Sequence, residues 1–368
     1  MAREPIRLAG LVLALGAVTI CVLRDGGFAG VDLIGLPVVL AGCALMVTTK
    51  ASPRGRFLVA AAAVFAAVWL MCGFASGTAG RSAALAAAAG CIAASVLLGQ
   101  SLDRHRGDLT DHALLAVAAA GGIVSLAGWA LHVRPWGLPF DGAWRLAGPF
   151  AYPNAAGLFF AIGLVRLSVS QRFAASERLL LGAVLAAALL ATQSRGAFVA
   201  LAVGLLLAGR RLCSAVVAGT AAVVITLVTN TASGADRVAE WSAAARQGWR
   251  HLLVGGGPER DLLIHNFRGD AIARYAHNEP LQVFAGAGLV GVVLLGVLLV
   301  AVARAVPTRR GRAILATLAV GGLVDFSWHF VALVAYAGWL AALDLRNEDD
   351  ASDGLATLDE RVSGRGFG

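Results

Sequence analysis

Apolar residues fill the chain in long runs at 8–23, 29–48, 57–78, 83–100, 112–132, 154–170, 178–193, 195–209, 212–229, 281–303, 313–328 and 329–345. A helix crosses the hydrocarbon core of a bilayer with about 20 mostly apolar residues, in a range of roughly 17–25. The pattern therefore predicts an all-α, polytopic membrane protein with about 12 transmembrane helices in a single domain over 1–345. The stretches 178–209 and 313–345 could be divided differently. The run at 8–23 reads as a span rather than a cleaved signal, because no A-x-A-like site follows it and further runs continue throughout. The segment 346–368 is polar and reads as a disordered cytoplasmic tail.

Polar connections are short with two exceptions, at about 132–153 and about 230–280. A connection of some fifty residues normally has a function. From Asp236 to Leu253 its apolar positions are Val238, Trp241, Ala245, Trp249 and Leu252, spaced as one face of a helix. Such an amphipathic helix is expected to lie flat at the membrane interface, tryptophans down. The run Gly255-Gly256-Gly257-Pro258 reads as its stop. A phosphate cradle is the lesser reading there, since no strand precedes the glycines and no Lys-Ser/Thr follows. The next helix opens at His277-Asn278-Glu279-Pro280, with asparagine as cap and proline near the first helical position. That puts His277 beside a positive helix end.

Composition agrees with lipid as the solvent. Of 368 residues 58% are hydrophobic and 14% charged, against about 25% charged in soluble domains. Disorder needs low hydrophobicity and is excluded. The net charge of +8 would suggest nucleic acid in a soluble protein. Here it follows the positive-inside rule: Arg3 and Arg7, then Lys50, Arg54 and Arg56, then Arg104 and Arg106, Arg172 and Arg178, Arg210 and Arg211, and Arg304 to Arg312 fall in every second connection. Both termini are then cytoplasmic, and both long connections face outward. Cys21, Cys43, Cys72, Cys91 and Cys213 lie inside apolar runs without CxxC spacing and read as packing residues.

Eleven arginines fall on the predicted outer side, where orientation does not need them. Six of these are in the long connection, against five acids up to Ala276. The planar guanidinium fork suits phosphate oxygens, so an anionic ligand near the outer leaflet is expected. Arg195 stands out. It sits in Thr192-Gln193-Ser194-Arg195-Gly196, a turn of almost no length between two spans. An arginine costs about 2.5–3.5 kcal/mol at a helix centre and less near the ends; serine or glycine would have cost less. The alternative for Arg195 is snorkelling to lipid headgroups. Arg145, in Trp144-Arg145-Leu146, is a weaker companion.

His277 is the preferred base, since a helix N-terminus disfavours the imidazolium; a structural histidine is the alternative. His265, in mid-connection, ranks below it. Asp325 lies near the outer end of an apolar run, where an acid marks a functional site or an ion pair, with Arg195, Arg145 or His277 as the expected partner. The outer connections contain no D-x-D, no H-x-x-x-H and no G-x-S-x-G elbow, so no metal or cofactor is expected.

Four stretches together resemble the O-antigen ligase and O-antigen polymerase family of membrane glycan transferases. Arg145-Leu-Ala-Gly-Pro-Phe-Ala-Tyr-Pro-Asn154 is similar to the family's segment before a central span. Gln193-Ser-Arg-Gly196 is similar to its SRG turn. Asp236-Arg237 through Trp241, then Leu253-Val-Gly-Gly-Gly-Pro258, is similar to its R-x-x-x-W helix and G-x-G ending. His277-Asn278 with Leu281-Gln282, then Gly286 to Gly291, is similar to its HN-x-x-L-Q stretch. Asp325-Phe326 also looks like the family's acidic-aromatic pair. Ala287 stands where the family often has an acid.

The likeness covers about 140–345. It implies inverting, metal-independent transfer of a glycan from a polyprenyl-pyrophosphate carrier to an acceptor hydroxyl on a glycan, lipid or protein. Arg195 and Arg237 would hold the pyrophosphate and His277 would activate the hydroxyl. Arg145, Asn278 and Asp325 complete the candidate substrate-binding residues. A transporter or flippase of lipid-linked glycan is the competing reading. It would place polar groups at mid-membrane and show repeated halves, and neither is visible.

Overall fold

The computed structural model describes residues 3–28, 32–47, 52–140, 143–228, 231–266 and 269–343. The polar segment 346–368 and the basic position Lys50 lie outside them. Nearly all regular structure is helical: α1 (Arg3–Leu23), α2 (Asp32–Val47), α3 (Pro53–Ala75), α4 (Ala83–Ser101), α5 (Arg104–Ala130), α6 (Pro153–Val169), α7 (Ala175–Thr192), α8 (Arg195–Leu207), α9 (Arg211–Val228), α10 (Thr231–Arg250), α11 (Glu279–Ala305), α12 (Arg309–Val324) and α13 (Val331–Ala342). Each of the twelve apolar runs coincides with one helix other than α10. Among the described residues six of these, α1, α3, α4, α5, α7 and α11, are long and apolar enough to cross a membrane.

The packing shows which faces need lipid. Every residue of α13 is buried, as expected of a helix that is apolar all round. By contrast α1, α3 and α11 expose large apolar side chains such as Leu13, Met71, Phe74 and Val293. In water this would form a patch far beyond what monomers tolerate. Small residues set the closest crossings. A Cβ on Gly157 of α6 would press on Ser194 and Ala197 of α8 at 2.9 Å, so glycine there lets the backbones approach. An arginine–carboxylate pair is fully enclosed: Arg166 of α6 grips Asp111 of α5 through Nε and Nη2 at 2.8 and 2.7 Å. Its full pairing is what makes two buried charges tolerable.

Three features depart from the sequence expectation. First, two short antiparallel hairpins occur, β1 (Gly137–Phe140) with β2 (Ala143–Leu146) and β3 (Leu262–Asn266) with β4 (Gly269–Ala273). Their sequences, such as Leu262-Leu263-Ile264-His265-Asn266, do not alternate strictly between apolar and polar residues, so no period-two pattern registers. His265 therefore lies on a strand rather than in open loop.

Second, α10 starts before Asp236, and besides the tryptophan face expected to meet the membrane interface it has a protein-facing stripe that the sequence did not single out. Ala243 and Ala244 pack under Leu262, Ile264, Ala276 and Ala285, while Val238 and Trp249 are exposed. The tertiary neighbours of α10 chose a face of small residues over the larger apolar ones.

Third, the glycine run does not stop α10, which ends at Arg250. Instead it exchanges hydrogen bonds with a break in α11. Gly288 sits at φ 60°, ψ −152°, which frees backbone groups on both sides. The amides of Leu289 and Val290 donate to the carbonyls of Leu252 and Leu253 at 2.8 and 3.1 Å. In return Gly256 and Gly257 donate to the carbonyls of Ala285 and Gly286 at 2.8 and 3.1 Å. A broken helix in an apolar setting must have its polar groups satisfied by neighbouring protein.

Candidate functional site

Five parts of the chain far apart in sequence wall one cavity of about 450 Å³. The β1–β2 hairpin brings Arg145, α6 brings Asn154, the α7–α8 turn brings Arg195, α10 brings Arg237 and Trp241, and the end of α12 brings Asp325. Four of the six residues singled out in the sequence thus share a single lining.

Local structure explains each placement. Gln193 closes α7 in the left-handed conformation at φ 52°, and Ser194 caps α8 by accepting from the Ala197 amide at 3.3 Å. The tight turn leaves Arg195 as the first residue of α8, half-buried. Among the described residues its side chain has no hydrogen bond and no ion pair. Arg145 is anchored, with Nε donating to the Thr192 carbonyl at 2.9 Å and Nη2 to Asn154 Oδ1 at 3.1 Å. Its guanidinium also lies over the Phe140 ring.

Asp325 is almost fully buried. Its carboxylate accepts from Tyr152 Oη at 2.9 and 3.0 Å, from Asn154 Nδ2 and from its neighbour's amide. Burial and the Asp325 carboxylate push the Tyr152 phenol well up, so it stays a donor. The cation facing Asp325 is Arg237, at 3.8 Å. This corrects the expected choice among Arg195, Arg145 and His277. At that length the pair is electrostatic, and Nη1 of Arg237, although buried, makes no hydrogen bond. Among the described lining residues Asp325 is the one acid beside three arginines, which makes this wall rich in hydrogen-bond donors.

His277 stands beside the cavity rather than in its lining. Its backbone is left-handed at φ 48°, uncommon for a residue with a side chain. Its Nδ1 is 2.8 Å from Oε2 of Glu240, one helical turn from Arg237, and its ring meets the edge of Phe326 at 5.0 Å. Phe326 in turn stacks between Tyr275 and Tyr152. Asn278 is the N-cap of α11 as expected: Oδ1 accepts from the Leu281 amide at 2.9 Å, while Nδ2 donates to the Leu323 carbonyl at 2.7 Å. Both ends of its amide serve the fold.

Residues that the sequence did not single out complete the surroundings. Glu240, Tyr152 and Asn154 orient the predicted groups directly. Behind them His329 is enclosed between two buried acids, with Nδ1 3.1 Å from Glu279 and Nε2 3.2 Å from Glu259. Tyr275 donates to Glu259 at 3.3 Å, and burial with that carboxylate raises its phenol. These contacts fasten the segment after α10 to the start of α11 and the α12–α13 turn. Among the described residues no group of three or more His, Cys, Asp or Glu could hold a metal ion.

No model of a known protein family matches the chain, and no curated protein matches it.

Proposed function

We propose that the chain is a multi-pass membrane glycosyltransferase, O-antigen ligase- or polymerase-like, that moves a glycan from a polyprenyl-pyrophosphate carrier onto an acceptor hydroxyl. The observation that carries this reading is the convergence of Arg145, Arg195 and Arg237 with Asp325 on one cavity, beside a histidine held by a carboxylate. A half-buried guanidinium without a partner is costly; the pyrophosphate oxygens would relieve that cost bidentately. In this reading all twelve apolar helices span the membrane, both termini are cytoplasmic, and the cavity opens at the outer face.

With Nδ1 directed at Glu240, the other ring nitrogen of His277 carries the lone pair. It takes the proton of the acceptor hydroxyl, whose oxygen attacks the anomeric carbon from the side opposite the leaving group. The bond from that carbon to the pyrophosphate oxygen breaks, and the charge left on the carrier pyrophosphate is stabilised by Arg195 and Arg237. Such electrostatic stabilisation is usually the largest catalytic contribution. Arg145 and Asp325 fix the wall, Asp325 by holding Arg237, Tyr152 and Asn154. A donor seated between α10 and the α7–α8 turn would displace the water that could hydrolyse it.

The test is transfer by the purified chain in detergent, where a flippase has no second leaflet to act on. The wild type is expected to consume lipid-linked glycan. His277→Ala is expected to lose roughly 10²–10⁴-fold in rate while still binding donor. Wild-type transfer by that variant removes the base assignment; no transfer by the wild type with any lipid-linked donor removes the enzyme.

A further inference from the structure

A second group of arginines lies on another side of α10. Arg246 and Arg250, four residues apart, share one face of that helix. Arg260 joins them from the segment before β3, and with Gln247 and His251 they line a pocket of about 230 Å³. The one acid in this lining, Asp261, is held by Arg81 at 2.7 Å. Arg260 donates to the Gly256 carbonyl at 3.3 Å. Among the described residues Arg246 and Arg250 have neither a hydrogen bond nor an ion pair. Three like charges around one hollow repel each other. An anion seated there turns the repulsion into charge-assisted hydrogen bonds.

The flanks of the pocket indicate what carries the anion. Trp249, Leu253, Val254 and Leu263 are all more than half exposed. The carbonyls of Leu252 and Leu253 meet α11 at Leu289 and Val290, ten and eleven residues into that helix. At 1.5 Å per residue this is about 15 Å along it. Exposed apolar side chains therefore stand beside the apolar body of α11, while Gln247 and Gly248, between Arg246 and Arg250, meet that helix at Ala285 and Phe284, nearer its Glu279 end. A pocket for a soluble anion has no need of such a rim. Acyl chains below and a phosphate above match it in both shape and charge.

We infer that Arg246, Arg250 and Arg260 bind the headgroup phosphate of an anionic phospholipid, in the leaflet nearer the Glu279 end of α11, with its chains against Trp249, Leu253 and Val254. The bound lipid braces α10 on the side away from Arg237 and Glu240. This site needs only that α11 spans the bilayer, and it stands or falls independently of glycan transfer.

The test is lipid retention by the full-length protein, read by native mass spectrometry after incubation with mixed micelles of phosphatidylglycerol or of phosphatidylcholine. The wild type is expected to retain phosphatidylglycerol preferentially. Arg250→Gln, and separately Arg246→Gln, is expected to weaken that retention about fivefold, the factor given by about 1 kcal/mol per basic residue near an anionic surface. Arg178→Gln, on a distant exposed arginine, should leave it unchanged. Equal retention of the two lipids overturns the proposal, as does wild-type retention by both variants. Displacement of phosphatidylglycerol by millimolar inorganic phosphate marks a soluble-anion pocket and overturns it too. So does retention of polyprenyl phosphate without phosphatidylglycerol, which gives the site to the carrier.

Discussion

Nδ1 of His277 lies 2.8 Å from Oε2 of Glu240, joining the start of α11 to the helix that carries Arg237. The carboxylate selects the tautomer with its proton on Nδ1 and leaves the opposite nitrogen as the acceptor. Glu240 is therefore a positioning residue for His277. Glu240→Ala is expected to slow transfer at least about tenfold, short of the loss from removing the base itself. Donor affinity should be kept. Glu240→Gln retains a carbonyl acceptor and is expected to fall between wild type and alanine. Nitrogen NMR of the His277 ring supplies the readout that a merely structural role would not move: the Nδ1-protonated form dominates in the wild type and declines in Glu240→Ala. An unchanged tautomer with unchanged rate removes this role.

Arg195 and Arg145 line the same cavity but differ in availability. Arg145 is spent on the Thr192 carbonyl and Asn154, whereas Arg195 faces the cavity without a protein partner among the described residues. Lysine at 195 would keep the charge and lose the fork. Arg195→Lys is expected to weaken donor binding about ten- to a hundredfold, the worth of one hydrogen bond to a charged group, with little change in thermal stability. Titration of the purified variant with lipid-linked donor checks this, and full affinity excludes Arg195 from the anion site.

Asp325 and Arg237 form the cavity's one ion pair among the described residues, at 3.8 Å. Asp325→Asn leaves Arg237 without its counter-charge and weakens the bond from Tyr152. The expected cost is about 1–3 kcal/mol in stability, with loss of donor affinity because Arg237 is no longer held. A double-mutant cycle with Arg237→Gln, read by unfolding in detergent, should show coupling of about 0.5 kcal/mol or more. Strict additivity would mean that the two charges do not interact.

Arg195 and Asp325 were legible in the sequence because each breaks a rule that lipid imposes, a charge where an uncharged residue would cost less, whereas Arg145 and Arg237 stood out only through the excess of outer arginines and the family resemblance. Glu240 breaks no such rule. It is one charged residue among several on an amphipathic helix, and only the docking of α10 against α11, across 37 positions, brings it to His277. The partner of Asp325 was misassigned for the same reason, since spacing cannot rank arginines on separate helices. Glu279 reads locally as a first-turn acid, and His329 as a neighbour of Asp325. Their meeting with Glu259 depends on a segment whose path is set by backbone exchange at Gly288. The glycine run reads locally as a helix stop, and Gly288 as one more small residue in an apolar helix, because neither carries a side chain to betray the other.

That exchange makes a sharp prediction about two glycines of the same helix. At φ 60° and ψ −152° Gly288 occupies a region open almost only to glycine. A Cβ there would also meet the Leu252 and Leu253 carbonyls at 2.6 Å, the atoms that satisfy the α11 amides. Gly288→Ala is expected to lose about 1–3 kcal/mol from backbone strain alone, and more once the segment 252–257 is pushed away and the α11 amides go unpaired. Gly296, two turns further along α11, has open space on the side where a methyl group would project, with no neighbouring atom within 4 Å. There alanine removes a helix-breaking residue and is expected to be neutral or stabilising by up to about 1 kcal/mol. Thermal unfolding of both variants in detergent decides the matter. Equal behaviour of the two would mean that α11 runs straight through Gly288 and that the segment 252–257 is not held by it.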